Sequence, residues 1–391
     1  MRRAEAMRQV LREHQADCEK NGNVSEEINR RFIEAGFYRI LQPRRFGGYE
    51  FDLKVFLEVM IAIARGCSES GWVLALTAGH AAILALFSED AQREAFGSSG
   101  EFRAPGVAMP GGVAISAEGG YWVKGAWDYA SGIDLATHFF GAVVIQNAGG
   151  GAPAGGGWLL LEHSECRIEN NWNVMGMQGT GSKRVVLGER LVPAHRVLMT
   201  SDSHWTDLRD QPGRALHPNP LYHGRLPVLL ISEVAAVSIG AARGALDVYE
   251  EMLRNKRQYF PPFPPRFEAE EFQHHFGLAQ SMIDTAESAL LRLGEQYVDL
   301  ARREFEQGIP FDEEMERRLI LVEQQCVRLA WEATELLFRT AGTSASAKEG
   351  AMLGRFFRNL AVIRTHITLQ HDRTAVTAAR LRFGLSALSR I

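Results

Sequence analysis

The sequence lacks the features that mark several classes of protein. Its four cysteines are scattered and form no CxxC pair, which argues against a disulfide scaffold and a structural zinc site. It has no basic tract and a formal net charge of −4, so nothing suggests binding to nucleic acid. Charged residues stand where a signal peptide needs an apolar stretch, and the most apolar run, residues 228–242, is too short to span a membrane. We therefore predict a cytoplasmic protein without a membrane span, nucleic-acid partner or metal.

Residues suited to a large folded core are abundant instead. Of the 391 residues 46% are hydrophobic, and this length predicts two or three domains. Helical patterns fill residues 1–101, short alternating segments with glycine-rich turns fill residues 102–204, and long helical patterns return in residues 205–391. We predict a mainly α protein with a β insert: an N-terminal helical domain, a middle β-barrel and a C-terminal four-helix bundle.

Four long helices make up the predicted bundle. The first three, separated by proline or glycine breaks, are predicted to span residues 226–255, 268–306 and 312–341. The fourth is predicted to begin at Ser346, where Ser346 and Glu349 have the spacing of a capping box. It is predicted to continue as one helix toward Leu388.

Three segments rich in glycine or proline lie outside the regular elements. The glycine run 149–151 predicts an exposed hairpin tip, and the polar residues 202–225 predict a connector that covers a pocket. The third segment, residues 176–182, contains three glycines and the hydroxyls of Thr180 and Ser182. Glycine allows close approach to the backbone, so this segment predicts either a tight turn or a ligand-binding loop. It has neither a phosphate-loop lysine nor Rossmann spacing.

Four motifs occur in the order seen in one known group of enzymes. They are Ser70-Gly71-Trp72 with His80, residues 127–132, residues 176–182, and His371-Asp372. Together with the predicted domain order, they make the chain resemble the acyl-CoA dehydrogenase superfamily. Within it, the chain resembles the reduced-flavin-dependent oxygenases of two-component systems, which include p-hydroxyphenylacetate hydroxylases, secosteroid phenol hydroxylases and dibenzothiophene monooxygenases. The similarity covers essentially the whole chain.

The resemblance implies a chemistry and a set of partners. The enzyme would take reduced flavin, FMNH₂ or FADH₂, and O₂, and would hydroxylate an aromatic or polycyclic small molecule through a C4a-(hydro)peroxyflavin. Water destroys such an intermediate, so the protein would have to supply a dry cavity. Because the sequence has no dinucleotide fingerprint, NAD(P)H would be used by a separate flavin reductase. The homotetrameric assembly of the group is implied as well.

The same resemblance indicates which residues would hold the flavin. Contacts to its polar edge and ribityl side are expected from Gly179, Thr180, Gly181, Ser182 and Ser131. Either Trp127 or Trp172 would lie against the ring. Arg257 resembles the arginine of the dehydrogenase RxxF motif. Arg355 and Arg358 resemble a later R-x-x-R-D element, but Asn359 replaces its aspartate.

Three residues are candidates for the chemistry itself. His371 is the predicted base, because imidazole titrates near neutrality and can take and return a phenolic proton. Ser131 would hydrogen-bond the substrate oxygen or the peroxide, and His80 corresponds to a histidine that the group places in its active site. Each has a simpler alternative: a solvated helix-face histidine, a turn serine before Gly132, and a buried histidine satisfied by a backbone carbonyl.

Two other functions are compatible with the same fold. An acyl-CoA dehydrogenase would need a glutamate base, but Thr365, His366 and Ile367 occupy the neighbourhood of one family glutamate. Glu233 is out of register for the other. A non-catalytic scaffold would be indicated by loss of both Ser131 and His371, and both are present.

Overall fold

The computed structural model describes residues 1–148, 155–200 and 210–388. The predicted hairpin tip at 149–151 lies outside the described residues, as does the first part of the predicted connector, residues 202–209.

Six helices form the N-terminal part. They are α1 (Arg2–Asn21), α2 (Glu26–Ala35), α3 (Leu53–Gly66), α4 (Ser68–Gly79), α5 (Ala81–Leu84) and α6 (Glu89–Phe96). Ser25 caps the N-terminus of α2, because Ile28 N–H donates to Ser25 Oγ at 3.3 Å. His80 lies in the break between α4 and α5 and is buried.

The middle part is a single seven-stranded sheet. Its strands are β1 (Gly106–Ala117), β2 (Gly120–Ala130), β3 (His138–Gln146), β4 (Gly155–Glu162), β5 (Arg167–Glu169), β6 (Lys183–Pro193) and β7 (Val197–Thr200). They lie in the order β5-β6-β2-β1-β3-β4-β7, and every neighbouring pair is antiparallel except β1 and β3. In the described part of the chain, β5 and β7 are the two edges, so the predicted barrel is an open sheet.

The C-terminal part contains the helices α7 (Leu226–Asn255), α8 (Glu270–Gln307), α9 (Glu313–Thr340), α10 (Thr343–Ser346), α11 (Met352–Ile363) and α12 (His371–Arg382). The predictions for α7, α8 and α9 are correct to within two residues at each end. The single fourth helix is wrong. Gly350 adopts a left-handed φ of +77°, α11 begins only after Ala351, and the predicted capping box at Ser346 does not form.

Helix α7 is the central helix of this part. By length and apolar composition it could cross a membrane, but 83% of its most apolar window is buried inside the protein. Its glycines allow close packing, because a Cβ at Gly240 or Gly244 would overlap the backbone of α3. Its apolar character is therefore explained by burial in the core.

Candidate active site

A line of four hydrogen-bonded side chains forms where β2 and β6 meet α4. Ser131 follows β2, residues 176–182 precede β6, and Ala130 pairs with Lys183 in the sheet. Ser131 Oγ and Ser182 Oγ are 2.8 Å apart, and Ser182 Oγ is 2.7 Å from Thr180 Oγ1. Trp72 Nε1 of α4 donates to Ser131 Oγ at 3.0 Å. All four residues are buried, so the structure brings together Ser131, Thr180 and Ser182 as the sequence predicted.

The line of hydroxyls has one direction. Thr180 Oγ1 donates its single proton to the carbonyl oxygen of Met177 at 2.8 Å, so it accepts from Ser182. Ser182 then accepts from Ser131, and Ser131 accepts from the Trp72 indole N–H. Each hydroxyl donates its only proton to a hydrogen bond in this line, and its oxygen can still accept a further hydrogen bond. Ser131 therefore presents an oxygen that accepts a further hydrogen bond.

The loop 176–182 is anchored from behind by the N-terminal helices. Gly179 N–H donates to Glu69 Oε1 at 2.8 Å, and Cys18 Sγ is 3.5 Å from the carbonyl oxygen of Gly179. A Cβ at Gly179 would overlap Cys18 Sγ. Glycine is therefore required at this position by close packing, which the sequence alone did not reveal.

Asn359 of α11 supports the same loop from another side. Its Oδ1 accepts from Met177 N–H at 2.6 Å, and its Nδ2 donates to Ser68 Oγ at 2.8 Å. Met177 has a left-handed φ of +56°, so this bond helps to hold an uncommon backbone conformation. Asn359 thus uses both its amide oxygen and its amide N–H to join the loop to α4.

Two cysteines lie beside Glu69, although they are far apart in the chain. The sulfurs of Cys18 and Cys67 and a Glu69 carboxylate oxygen lie within 4.8 Å of one another. Burial, with a contribution from Cys67, raises the pKa of Glu69 to about 8. A hydrogen bond from Cys18 lowers the pKa of Cys67 to about 7. The expectation that no metal is bound stays a prediction at this cluster.

His80 belongs to a second polar group at the other end of α4. Its Nδ1 lies 2.8 Å from the carbonyl oxygen of Ala104, and its Nε2 lies 3.9 Å from Glu233 Oε2 of α7. Burial lowers the pKa of His80 to about 4 and raises the pKa of Glu233 well above its ordinary value. The backbone contact fits the simpler alternative for His80, whereas the contact with Glu233 was not predicted.

The two C-terminal histidines differ in their surroundings. His371 is the first residue of α12, its side chain is 39% exposed, and its Nδ1 lies 3.9 Å from Asp372 Oδ1. The described contacts do not join it to Ser131. The ring of His366 instead meets the Trp72 indole edge-on at 5.6 Å between centroids, and its Nδ1 is 2.8 Å from Thr368 Oγ1. Burial lowers the pKa of His366 to about 4. His366 was not among the predicted site residues.

Trp127 lies away from this cluster. Its indole N–H donates to the carbonyl oxygen of Ala142 at 2.7 Å, and its fully buried ring packs edge-on to Phe139. A Cβ at Gly112 or Gly141 would overlap that ring, so glycines of the neighbouring strands make room for it. Trp127 is thus a packing residue of the sheet, and a contact between it and a flavin ring stays a prediction.

The arginines expected at the flavin are spread over two places. Arg355 is buried and its Nε donates to Glu19 Oε2 of α1 at 2.6 Å, while Arg358 pairs with the other oxygen of Glu19. Arg257 is exposed and donates to the carbonyl oxygen of Phe263 at 3.0 Å. The structure therefore does not bring the arginines to Ser131, and their contacts with flavin stay predictions.

The residues around Ser131 fit a reduced flavin. A reduced isoalloxazine ring carries N–H groups along its polar edge, and the buried oxygens of Ser131 and Ser182 retain accepting capacity. The loop beside them is anchored at Gly179, so these oxygens are held before any ligand arrives. These acceptors thus suit the reduced flavin that the resemblance implies.

Comparison with known proteins gives a consistent result. Residues 2–98 match the family model "Acyl-CoA dehydrogenase, N-terminal domain", and residues 232–371 match "Acyl-CoA dehydrogenase, C-terminal domain". The oxygenase subunit HsaA of a flavin-dependent monooxygenase from Rhodococcus jostii is 31% identical over 98% of both chains. The oxygenase component of an FADH₂-dependent resorcinol hydroxylase from Rhizobium is 34% identical over 55% of this chain and 52% of its own.

A solved structure extends the match to three dimensions. The 3-HSA hydroxylase from Rhodococcus has a TM-score of 0.89 and 27% identity, covering 100% of this chain and 98% of its own. The chain belongs to the flavin-dependent monooxygenases of the acyl-CoA dehydrogenase fold. The expected fold and the expected use of flavin are thereby confirmed.

Proposed function

We propose that this monooxygenase is the oxygenase component of a two-component system. It hydroxylates an aromatic or polycyclic small molecule with reduced flavin and O₂, and a separate NAD(P)H-dependent flavin reductase supplies the reduced flavin. The observation that carries this proposal is the buried, one-directional line from Trp72 through Ser131 and Ser182 to Thr180. The named functions of relatives that match along the whole chain support it.

The bound reduced flavin, with O₂, supplies the oxygen atom that is inserted into the substrate. The protein itself holds and orients the flavin and the substrate, and it excludes water from the site. The loop 176–182 would bind the flavin's polar edge, and Ser131 would accept from whichever reacting group carries a proton. Because Ser131, Thr180 and Ser182 are each no more than 5% exposed, bulk water is kept from these oxygens.

A base near the substrate would take and return the phenolic proton. His371 has this role by resemblance, and His366 is the histidine that contacts Trp72. We assign the position beside the Ser131 line to His366, because its ring lies against Trp72, which donates to Ser131. The role of His371 remains a separate prediction.

We also propose that the protein forms a homotetramer. A contact between Arg257 and the flavin is proposed as well. The break after α7 exposes Tyr259, Phe260 and Phe263 by 70%, 78% and 47% beside this arginine. Exposed aromatic side chains of this kind are typical of a protein interface. A cytoplasmic location is proposed from the cysteine content alone.

The direct test is reconstitution with isotopically labelled O₂. Purified protein receives chemically reduced FMN or FAD together with phenols ranging from single-ring to fused-ring compounds. We expect a product that contains one labelled oxygen atom from at least one phenol. Formation of H₂O₂ alone across the panel would contradict the proposal. Loss of flavin absorbance when an acyl-CoA is added to the oxidised flavoprotein would favour a dehydrogenase.

A further inference from the structure

Two thiols from distant parts of the chain meet behind the loop 176–182. The sulfurs of Cys18 in α1 and Cys67 at the start of α4 lie within 4.8 Å of each other, and both side chains are buried. The thiol of Cys326, in contrast, donates to the carbonyl oxygen of Ala286 at 3.3 Å. In the reducing cytoplasm proposed for this protein, a disulfide between such thiols is usually transient and redox-sensing rather than structural.

Cys67 is the more reactive of the two thiols. It is the N-cap of α4, where its sulfur accepts from the N–H of Ser70 at 3.5 Å. Hydrogen bonds from Cys18 and from Ser70 lower the pKa of Cys67 to about 7, so a large share of it is thiolate at neutral pH. Burial raises the pKa of Cys326 to about 12, and that thiol stays protonated. Because the thiolate is the form that attacks a peroxide, oxidation should begin at Cys67.

Glu69 supplies an acid group beside the two sulfurs. One of its carboxyl oxygens lies within 4.8 Å of both, and Oε1 accepts from Gly179 N–H at 2.8 Å. Burial, with a contribution from Cys67, raises the pKa of Glu69 to about 8, so the carboxyl is mostly protonated at neutral pH. When a thiolate attacks a peroxide, hydroxide departs and needs a proton. Glu69 is placed to give it.

The thiol of Cys18 also supports the loop 176–182. Its sulfur lies 3.5 Å from the carbonyl oxygen of Gly179, and a Cβ on that glycine would overlap the sulfur. Gly179 precedes Thr180, the last member of the Ser131 line. A disulfide has no thiol proton, so its formation removes the hydrogen bond from Cys18 to Gly179. An S–S bond is only about 2.05 Å long, so at least one sulfur also leaves its present position.

We propose that Cys18 and Cys67 form a modification site, at which hydrogen peroxide makes a disulfide that loosens the loop 176–182. The Cys67 thiolate attacks one oxygen of H₂O₂, an S–O bond forms and the O–O bond breaks, and the departing hydroxide leaves as water with the proton of Glu69. The Cys18 thiol then attacks the oxidised sulfur. An S–S bond forms, the S–O bond breaks, and hydroxide leaves as water with the Cys18 proton. Each sulfur has lost one electron, and both peroxide oxygens are reduced to water.

The chemistry of the protein itself provides the peroxide. H₂O₂ forms from reduced flavin and O₂ whenever no substrate takes up the oxygen atom. A disulfide that weakens the loop would therefore slow a protein that consumes reduced flavin without making product. The effect on flavin binding rests on the proposed function, because it assumes that the loop holds flavin. Formation of the disulfide does not depend on that assumption.

The test begins with purified protein treated with excess H₂O₂, followed by an alkylating reagent under denaturing conditions. Mass spectrometry of the digested protein should find the peptides of Cys18 and Cys67 joined, with Cys326 alkylated. Anaerobic calorimetry should show about fivefold weaker binding of reduced flavin, FMNH₂ or FADH₂, by the oxidised protein, as loss of one buried hydrogen bond warrants. Treatment with dithiothreitol should restore the affinity.

Variants assign the effect to this pair. Cys67→Ser keeps a cap for α4 and leaves Cys18 against Gly179, so it should bind reduced flavin like the untreated wild type both before and after peroxide. Cys326→Ser is the matched control, because it removes an equally buried thiol and keeps a donor for Ala286. It should remain as sensitive to peroxide as the wild type.

Three results would overturn the inference. One is sulfinic acid at Cys67 without a link to Cys18, and another is oxidation of neither thiol. The third is a peroxide-treated Cys67→Ser protein that loses flavin affinity as the wild type does. A disulfide that leaves the affinity of the wild type unchanged would overturn its effect on the loop.

Failure of the inference and failure of the proposed function give different results. Labelled product without a peroxide-induced disulfide leaves the oxygenase intact and removes the role of the thiol pair. A disulfide in the peroxide-treated protein, with no labelled product from any phenol, supports the modification site and rejects the oxygenase.

Discussion

The polar groups at the two ends of helix α4 differ in whether they are hydrogen-bonded within the protein. At the first end, the Trp72 N–H and the hydroxyls of Ser131 and Ser182 all find partners within the protein. At the other end, neither carboxylate oxygen of Glu233 has a hydrogen-bond partner among the described residues. A satisfied line of hydrogen bonds is rigid and adds to stability, whereas an unsatisfied carboxyl lowers stability until a ligand completes it. The first end is therefore suited to holding reacting groups in place. The second end is suited to binding a polar group of a ligand.

The largest effect should come from filling the space behind the satisfied end. In Gly179→Ala the new Cβ overlaps Cys18 Sγ and nearby backbone. We expect a loss of about 3 kcal/mol in the free energy of unfolding, from overpacking, together with loss of flavin binding. Denaturant unfolding and flavin titration measure both. The control is Gly188→Ala in β6, where an added Cβ meets no atom within 4 Å. Equal effects of the two substitutions would show that the loop is not tightly packed.

The next effect concerns pH, because Glu69 supports the satisfied end while its own pKa is raised to about 8. The folded state binds this proton more tightly than the unfolded state does. The stability that it contributes is therefore complete below the ordinary value near 4.5 and is lost as the pH rises through about 8. We expect the unfolding free energy of the wild type to fall over this window, whereas that of Glu69→Gln, which cannot lose a proton there, should not. Parallel pH profiles of the two proteins would contradict this.

Substituting each of the two C-terminal histidines shows which of them acts as the base at the Ser131 end of α4. His366→Asn should lower the yield of hydroxylated product at least tenfold, because His366 lies against Trp72. His371→Asn should lower it less than threefold, since its side chain is 39% exposed. Product and H₂O₂ are quantified together for each variant. The reverse order would return the role of base to His371.

The smallest effects should have opposite signs at the two ends. Trp72→Phe removes the N–H that Ser131 accepts, and it should lower the unfolding free energy by about 1 kcal/mol. Glu233→Met removes an unsatisfied carboxyl and should raise it by about 1 kcal/mol. Denaturant titrations of both variants measure the difference. If both substitutions changed the unfolding free energy in the same direction, the two ends of α4 would not differ in hydrogen-bond satisfaction.

Local signals predicted the regular elements well, and long-range contacts explain what was missed. Gly308 and Gly342 mark the ends of α8 and α9 because they act within one turn of chain, whereas the break at Gly350 was overlooked in favour of the Ser346 spacing. Ser131 and Ser182 were named as site residues only through the resemblance, and their hydrogen bond to each other was not predicted.

The supporting residues of the site could not be read from local sequence. Glu69 reaches Gly179 across 110 residues, and Asn359 reaches Met177 across 182. Sequence spacing carries no information about such contacts. The packing of Trp127 could not be predicted for a related reason, because the motif does not show that neighbouring strands enclose its ring with glycines.

The most direct test of the site is a crystal structure of the protein with reduced flavin bound. The account predicts that the polar edge of the flavin ring lies within hydrogen-bond distance of Ser131 Oγ or Ser182 Oγ. A bound flavin whose polar edge contacts neither hydroxyl would contradict it.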